Sequence, residues 1–179
     1  AGSSVVDLSS QNENLSTLVS ALQLTGLEDV LSSPGSFTVL APSNEAFDSF
    51  LNSIDATSLE DIPLDILSNV LLNHVIVGRF ESSMLSNGYT SSLAVSSASD
   101  SNMSIYVNVD NGVKFNGIST VTSADIIASN GVVHIVDQVI GLPTIVTFSL
   151  ADPNFENLVQ ALTREDLTQP FVELLSTPM

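Results

Sequence analysis

The chain has 179 residues, of which 44% are hydrophobic and 13% charged, so it can bury a core and is unlike a disordered chain. It carries 20 acidic residues against three lysines and arginines, which gives a formal net charge of −17. Nucleic acids and anionic lipid head groups are bound by clustered Lys and Arg, so both are excluded as partners. The absence of cysteine excludes disulfides, thiol nucleophiles and Cys-based zinc sites. Because no apolar stretch is long enough to span a bilayer, we also expect no direct membrane insertion.

The N-terminal segment has apolar residues at helical spacing. Residues 14–25 are predicted to form a helix, because Leu18 and Leu22 fall on one face and Gly26 suits a left-handed C-terminal cap. A short helix is expected over residues 27–32.

The stretch FTVLAPSNEAF, residues 37–47, changes abruptly from apolar to polar. Its β-branched and aromatic residues over 37–41 favour a strand, and Pro42 removes a backbone donor from the ladder. Ser43 or Asn44 can then cap a helix through a side-chain oxygen. The stretch is therefore predicted to be a corner where a core strand becomes a helix.

A second strong helix is predicted to begin near Pro63, because proline is favourable in the first turn. Its apolar face carries Leu67, Val70, Leu71 and His74. The helix gives way to a short apolar strand over residues 75–77.

The second half of the chain changes its apolar period from 3.6 to 2, which is typical of strands. Residues 104–117 alternate Ile105 and Val107 against Tyr106, and turn at Asp110-Asn111-Gly112. Residues 124–140 are predicted to form a second hairpin through the turn at Asn130-Gly131. Helices followed by strands indicate the α+β class.

The tail of the chain repeats its head. Residues 144–162 align without a gap on residues 4–22, and the repeat length of a whole domain excludes a solenoid. We therefore expect one complete domain over residues 1–142 and the truncated beginning of a second over 143–179. The second has an apolar helical face without a core of its own, so residues 145–179 are predicted to pack on the first domain or to self-associate with another copy of the chain.

Three segments resemble motifs of the fasciclin domain family. Residues 37–47 look like its first motif, residues 130–140 like its second, and residues 71–80 like the central segment between them. The resemblance covers residues 4–142 and implies a wedge-shaped β-sandwich of about seven strands that carries a group of helices from the N-terminal half. The motif positions that it marks as structural are Phe37, Thr38, Ala41, Pro42, Asn44, Phe47, His74, Gly131, His134 and Asp137.

The resemblance also implies a function. Fasciclin domains are adhesion modules of secreted or cell-surface proteins, often in tandem, so we expect contacts with cell-surface or matrix proteins, with polysaccharides or with neighbouring fasciclin domains. The tyrosine-histidine pair that some members use in integrin contact is here Asn73-His74, which argues against contact with integrins by that route. A partner contact at Asn73 and His74 is the alternative to a structural role.

Candidate catalytic residues are few. His74 and His134 are the only histidines, and we interpret both as structural: His74 as a buried imidazole bonded to the backbone, His134 as a strand residue on a partly covered face. Asp137 is expected to accept backbone N–H bonds where its strand ends. We therefore predict no enzyme, no cofactor and no metal site. One alternative is a carrier of an apolar molecule such as a carotenoid, and a hydrolase has the least support.

Overall fold

The structure, a computed structural model, describes residues 2–95 and 101–141 of the protein. This part of the chain contains five α-helices and seven β-strands. The helices are α1 (Val5–Ser10), α2 (Ser16–Thr25), α3 (Glu28–Ser32), α4 (Asn44–Ser53) and α5 (Leu64–Leu72). The strands are β1 (Phe37–Pro42), β2 (Val75–Val77), β3 (Gly88–Val95), β4 (Asn102–Asn108), β5 (Lys114–Phe115), β6 (Ser119–Ala128) and β7 (Gly131–Val136). The expected second domain, residues 143–179, lies outside the described residues.

The strands are hydrogen-bonded in the order β1-β2-β3-β4-β5-β6-β7 and close into a ring. Each pair of neighbours is antiparallel except β7 and β1, which are parallel. The α+β class and the seven strands confirm the prediction. The two faces of the expected wedge are joined at both sides, because β1 pairs with β7 as well as with β2.

The β1–β7 pair runs in register from Phe37 opposite Gly131 to Pro42 opposite Val136. A Cβ on Gly131 would collide with the backbone of Phe37. Gly131 is the first residue of β7 and has no positive φ, so its role differs from the one expected of a turn residue. The glycine is required because two backbones approach each other closely there.

The predicted corner between β1 and α4 is present. The structure resolves which residue caps the helix: Ser43 Oγ accepts a hydrogen bond from the N–H of Ala46, at 3.3 Å. Asn44 instead begins α4. The expected left-handed cap of α2 is also found, since Gly26 has φ 69°.

The apolar spacing of the sequence does not predict helix α1. The feature that marks the start of this helix is a capping box, in which Ser4 Oγ accepts from the N–H of Asp7 and the Asp7 carboxylate accepts from the N–H of Ser4. Val5 and Val6 are buried by this helix. A short helix with only two buried apolar residues gives little periodic signal.

Two apolar clusters form the core, and neighbouring residues of β1 point into different ones. Val39 and Ala41 pack with the helices in the larger cluster, whereas Leu40 belongs to the smaller one. The smaller cluster joins side chains from across the ring and fills its interior: Leu40, Ile76, Ile105, Val107, Phe115, Val136 and Ile140.

Strand β4 departs from the predicted alternation. Ile105, Tyr106 and Val107 are all buried, although Tyr106 was expected on the opposite face from the other two. The outer face is covered as well, since the Tyr106 ring lies against that of Tyr89 with centroids 5.0 Å apart.

The contact at Gly131 makes a stability prediction. We expect Gly131→Ala to lower the free energy of unfolding by at least about 3 kcal/mol, because the backbone of β1 cannot move away without breaking the ring. Urea unfolding measures the change. Gly141→Ala is the matched control, because an added Cβ there meets no atom within 4 Å. Equal losses in the two variants would contradict this account.

Candidate functional site

Two buried polar residues of the motifs hold the segment that follows β2. Thr38 Oγ1 donates to the carbonyl of Gly78 at 2.8 Å and accepts from the N–H of Phe80 at 2.9 Å. His134 Nε2 lies 2.8 Å from the carbonyl oxygen of Phe80. Both side chains are 0% exposed, so the partly covered face expected for His134 is in fact fully covered. These residues attach a surface segment to the ring.

A serine, an aspartate and a histidine lie near one another here. The N–H of Asp125 donates to His134 Nδ1 at 3.2 Å, so Nε2 carries the proton and donates to Phe80. Ser82 Oγ donates to the Asp125 carboxylate at 2.6 Å, and hydrogen bonds from Ser82 lower the pKa of Asp125. Both imidazole nitrogens are occupied by backbone groups. The imidazole therefore cannot take a proton from Ser82, and the group lacks a nucleophile–base pair.

His74 is the other buried histidine, at 1% exposure. Its Nδ1 lies 2.7 Å from the carbonyl oxygen of Val70, and its Nε2 accepts from the N–H of Ile140 at 2.8 Å. The imidazole thus joins the end of α5 to the segment after β7. As with His134, both nitrogens are used by the backbone.

Asn73, beside it, is 0% exposed. Its Oδ1 accepts from Ser92 Oγ at 2.8 Å, and its Nδ2 donates to the carbonyl of Gly141 at 3.1 Å. A partner contact through Asn73 and His74 has no accessible side-chain surface in this conformation.

Asn130 connects the N-terminal segment to the ring. Its Oδ1 accepts from the N–H of Val5 at 2.9 Å, and its Nδ2 donates to the carbonyl of Leu31 at 2.6 Å. The sequence analysis placed Asn130 only in a turn. Its side chain is instead a buried link between elements far apart in the chain.

Among the marked motif residues, Asn44 and Asp137 meet at a polar groove. Asn44 Nδ2 donates to the carbonyl of Glu13 at 2.9 Å, and its Oδ1 accepts from the N–H of Thr17 at 3.0 Å. Asp137 Oδ1 accepts from the N–H of Thr120 at 2.8 Å, as expected for a residue where a strand ends. The groove measures about 480 Å³ and is lined by Asn12, Asn14, Ser43, Asn44, Glu45, Thr122, Ser123, Ile135 and Asp137.

Several polar groups of this groove remain available to a ligand. The Glu45 carboxylate and the Asn14 amide are exposed and make no side-chain hydrogen bond within the described residues. Ser123 Oγ is equally available, as is the second oxygen of Asp137. The groove therefore offers two carboxylates and neutral polar groups, and no cation lines it among the described residues.

A second concavity, the cleft, is lined by both apolar and polar residues. It measures about 260 Å³ and lies between the segment after β2 and strands β3 and β4. Its apolar lining comes from Ile76, Phe80, Met84, Leu85, Tyr89 and Val107. It borders the core inside the ring, to which Ile76 and Val107 also belong.

Residues 2–95 and 101–141 contain neither a cluster of metal-ligating side chains nor a helix that could span a membrane. No group of three or more His, Asp or Glu side chains in this part of the chain could hold a metal ion. No helix there is both long and apolar enough to cross a bilayer.

Comparison with known proteins agrees with the fold. The fasciclin domain model matches residues 13–143. Protein sll1483 of Synechocystis sp. is 37% identical over 140 residues, which is 76% of this chain and 72% of that protein. The transforming growth factor-beta-induced protein ig-h3 of Sus scrofa is 29% identical over 130 residues, which is 72% of this chain but 18% of that protein.

A solved structure described as a FAS1 domain pair from the insect cell adhesion molecule Fasciclin I superposes with a TM-score of 0.59 at 22% identity. The superposition covers 93% of this chain and 58% of that one. The superposition thus shows that the two proteins share a fold. The match of the family model to most of the chain shows that it belongs to the fasciclin domain family.

The buried imidazole of His74 makes stability depend on pH. Burial lowers its pKa from 6.5 to about 4, and the hydrogen bond to Val70 opposes this only in part. As the pH falls below 6.5, His74 therefore binds a proton in the unfolded chain but not in the folded chain. This stabilisation is complete above pH 6.5 and is lost on acidification toward pH 4, by about 3 kcal/mol in total.

Urea unfolding across this pH range measures the loss. His74→Leu should be less stable at neutral pH, because Val70 and Ile140 lose hydrogen-bond partners, and should show a correspondingly smaller loss with acid. Should the variant fail to fold, NMR titration of the natural protein still decides: an imidazole of His74 that titrates near pH 6.5 would refute the account.

Proposed function

We propose that this protein is an adhesion or matrix-binding module that acts outside the cell, secreted or at the cell surface, through contacts with other macromolecules and without catalysis. Membership of the fasciclin family supports this, as does the shared fold with an insect cell adhesion molecule. The arrangement of the two histidines supports the absence of catalysis, since backbone groups occupy both imidazoles.

The polar groove is the observation that carries the proposal of a contact surface. Its walls come from both family motifs, through Asn44 and Asp137, and from the segment before α2. The remaining motif side chains are mostly buried, whereas this groove presents available polar groups to solvent. Polar and charged surfaces of this kind confer specificity and steer association.

Charge determines the class of partner that fits. The groove carries Glu45 and Asp137, and the whole chain has a net charge of −17. A partner segment bearing lysine or arginine complements this surface, because opposite charges raise the association rate and fix the register. The proposed partner is therefore a basic segment of a cell-surface or matrix protein.

A second copy of this chain is a poor occupant of the same groove. It has three lysines and arginines in all, which do not form a basic segment, and its net charge of −17 repels the acidic groove. Self-association through residues 145–179, and contact with neighbouring fasciclin domains, remain separate predictions that concern residues outside the described part.

We expect the double variant Glu45→Gln, Asp137→Asn to bind an immobilised peptide of alternating lysine and serine about three- to tenfold more weakly, because exposed ion pairs contribute about 0.2–1 kcal/mol each. Asparagine at position 137 still offers an oxygen to the N–H of Thr120, so the fold is retained. Surface plasmon resonance at low and physiological salt measures the change.

The matched control is Glu60→Gln, Asp65→Asn, which removes the same charge from an exposed surface elsewhere. If both double variants weaken peptide binding equally, the loss is caused by the change in net charge, and the groove is not the binding site. Immobilised dextran tests the polysaccharide alternative: saturable binding to dextran but not to the peptide would reject a basic partner.

Carriage of an apolar small molecule is the second candidate, and the apolar residues among those that line the cleft favour it. Its volume of about 260 Å³ lies below the roughly 300–1,000 Å³ of most ligand pockets. A carotenoid would extend well beyond the cleft, so adhesion is the better supported function.

The visible spectrum of the protein purified from its native source tests the carrier function. Co-purifying colour that disappears in Leu85→Trp, which fills the cleft, but persists in the exposed-site variant Leu64→Trp supports it. We expect the native protein to be colourless, and this result would reject the carrier function.

A further inference from the structure

Four asparagines in the described part of the chain are followed directly by glycine. In such a pair the glycine nitrogen attacks the side-chain amide carbon of asparagine and expels ammonia, because glycine has no side chain to hinder ring closure. Water then opens the cyclic imide to aspartate or isoaspartate. The four pairs begin at Asn87, Asn111, Asn116 and Asn130.

Three of these side chains are held in place. Asn87 accepts from the N–H of Val109 at 2.7 Å and also donates to a carboxylate. Asn130 makes three hydrogen bonds. Asn116 is 2% exposed and accepts from the N–H of Tyr106 at 2.8 Å. Ring closure at each requires these bonds or this packing to open first.

Asn111 differs from the other three. It lies exposed in the turn between β4 and β5, and its side chain makes no hydrogen bond to another described residue. Gly112 has φ 88°, in the region that favours glycine. We propose that Asn111 is a site of spontaneous deamidation, and that the fold selects it from four chemically equivalent pairs.

The reaction changes the local structure in two ways. One amide is replaced by a carboxylate beside Asp110, whose own carboxylate already accepts from Asn87 at 2.8 Å and from Asn108 at 3.3 Å. The isoaspartate product also lengthens the main chain of the β4–β5 turn by one carbon. Deamidation of Asn111 thus adds a negative charge to a turn in which the Asp110 carboxylate already makes hydrogen bonds.

Incubation of the whole protein at mildly alkaline pH, followed by peptide mapping with mass spectrometry, tests the proposal. In the folded protein, we expect the other three asparagines to react about tenfold or more slowly than Asn111, because hydrogen bonds or close packing must open first. In concentrated urea, all four should react at similar rates, because only the shared Asn-Gly chemistry remains.

Asn111→Gln is the control variant, since a longer side chain closes the ring poorly and the turn keeps its amide. It should abolish the early mass change in the folded protein. If Asn87, Asn116 or Asn130 reacts as fast as Asn111 in the folded state, or if Asn111 is as slow as they are, the proposal is wrong.

Discussion

The fold depends on the parallel pairing of β1 with β7. The other five described strands and the helices α4 and α5 all lie between these two strands in sequence, so the β1–β7 contact closes the ring between residues far apart in the chain. The closure requires two backbones to approach at Gly131 and Phe37. Contacts between residues so distant in sequence carry a large loop-closure entropy, which the two apolar clusters must offset.

Buried polar side chains attach the surrounding segments of the domain to the ring. Thr38 on β1 and His134 on β7 both bind the segment after β2, while Asn130 binds the N-terminal segment and His74 the segment after β7. The motif positions therefore have a common structural use. They join the ring to the segments that surround it.

The elements with a strong periodic signal are the ones that the sequence predicts well. The corner at β1 and α4, the long face of α5 and the two hairpins are confirmed, because burial on one face leaves a repeating apolar pattern. Helix α1 and strand β3 are missed: the first is very short, and β3 has a bulge between Ser91 and Val95 that interrupts its alternation.

The site was harder to predict than the fold. Asn44 and Asp137 could be marked from the motifs, but Asn12 and Ser123 reach the same groove from distant positions and follow no spacing rule. The burial of Tyr106 depends on the ring of Tyr89, a contact between strands that periodicity within one strand does not contain. Such features depend on tertiary position rather than on local pattern.

Within residues 2–95 and 101–141, the closed ring has no first or last strand. Open sheets can recruit a further chain by extending their ladder of backbone hydrogen bonds, and this form of association reads little of the partner's sequence. The ring formed by the described strands has no terminal strand to offer for this form of association. Association through the ring must therefore use side chains or loop groups, whose chemistry differs from one position to the next, rather than a ladder of backbone hydrogen bonds.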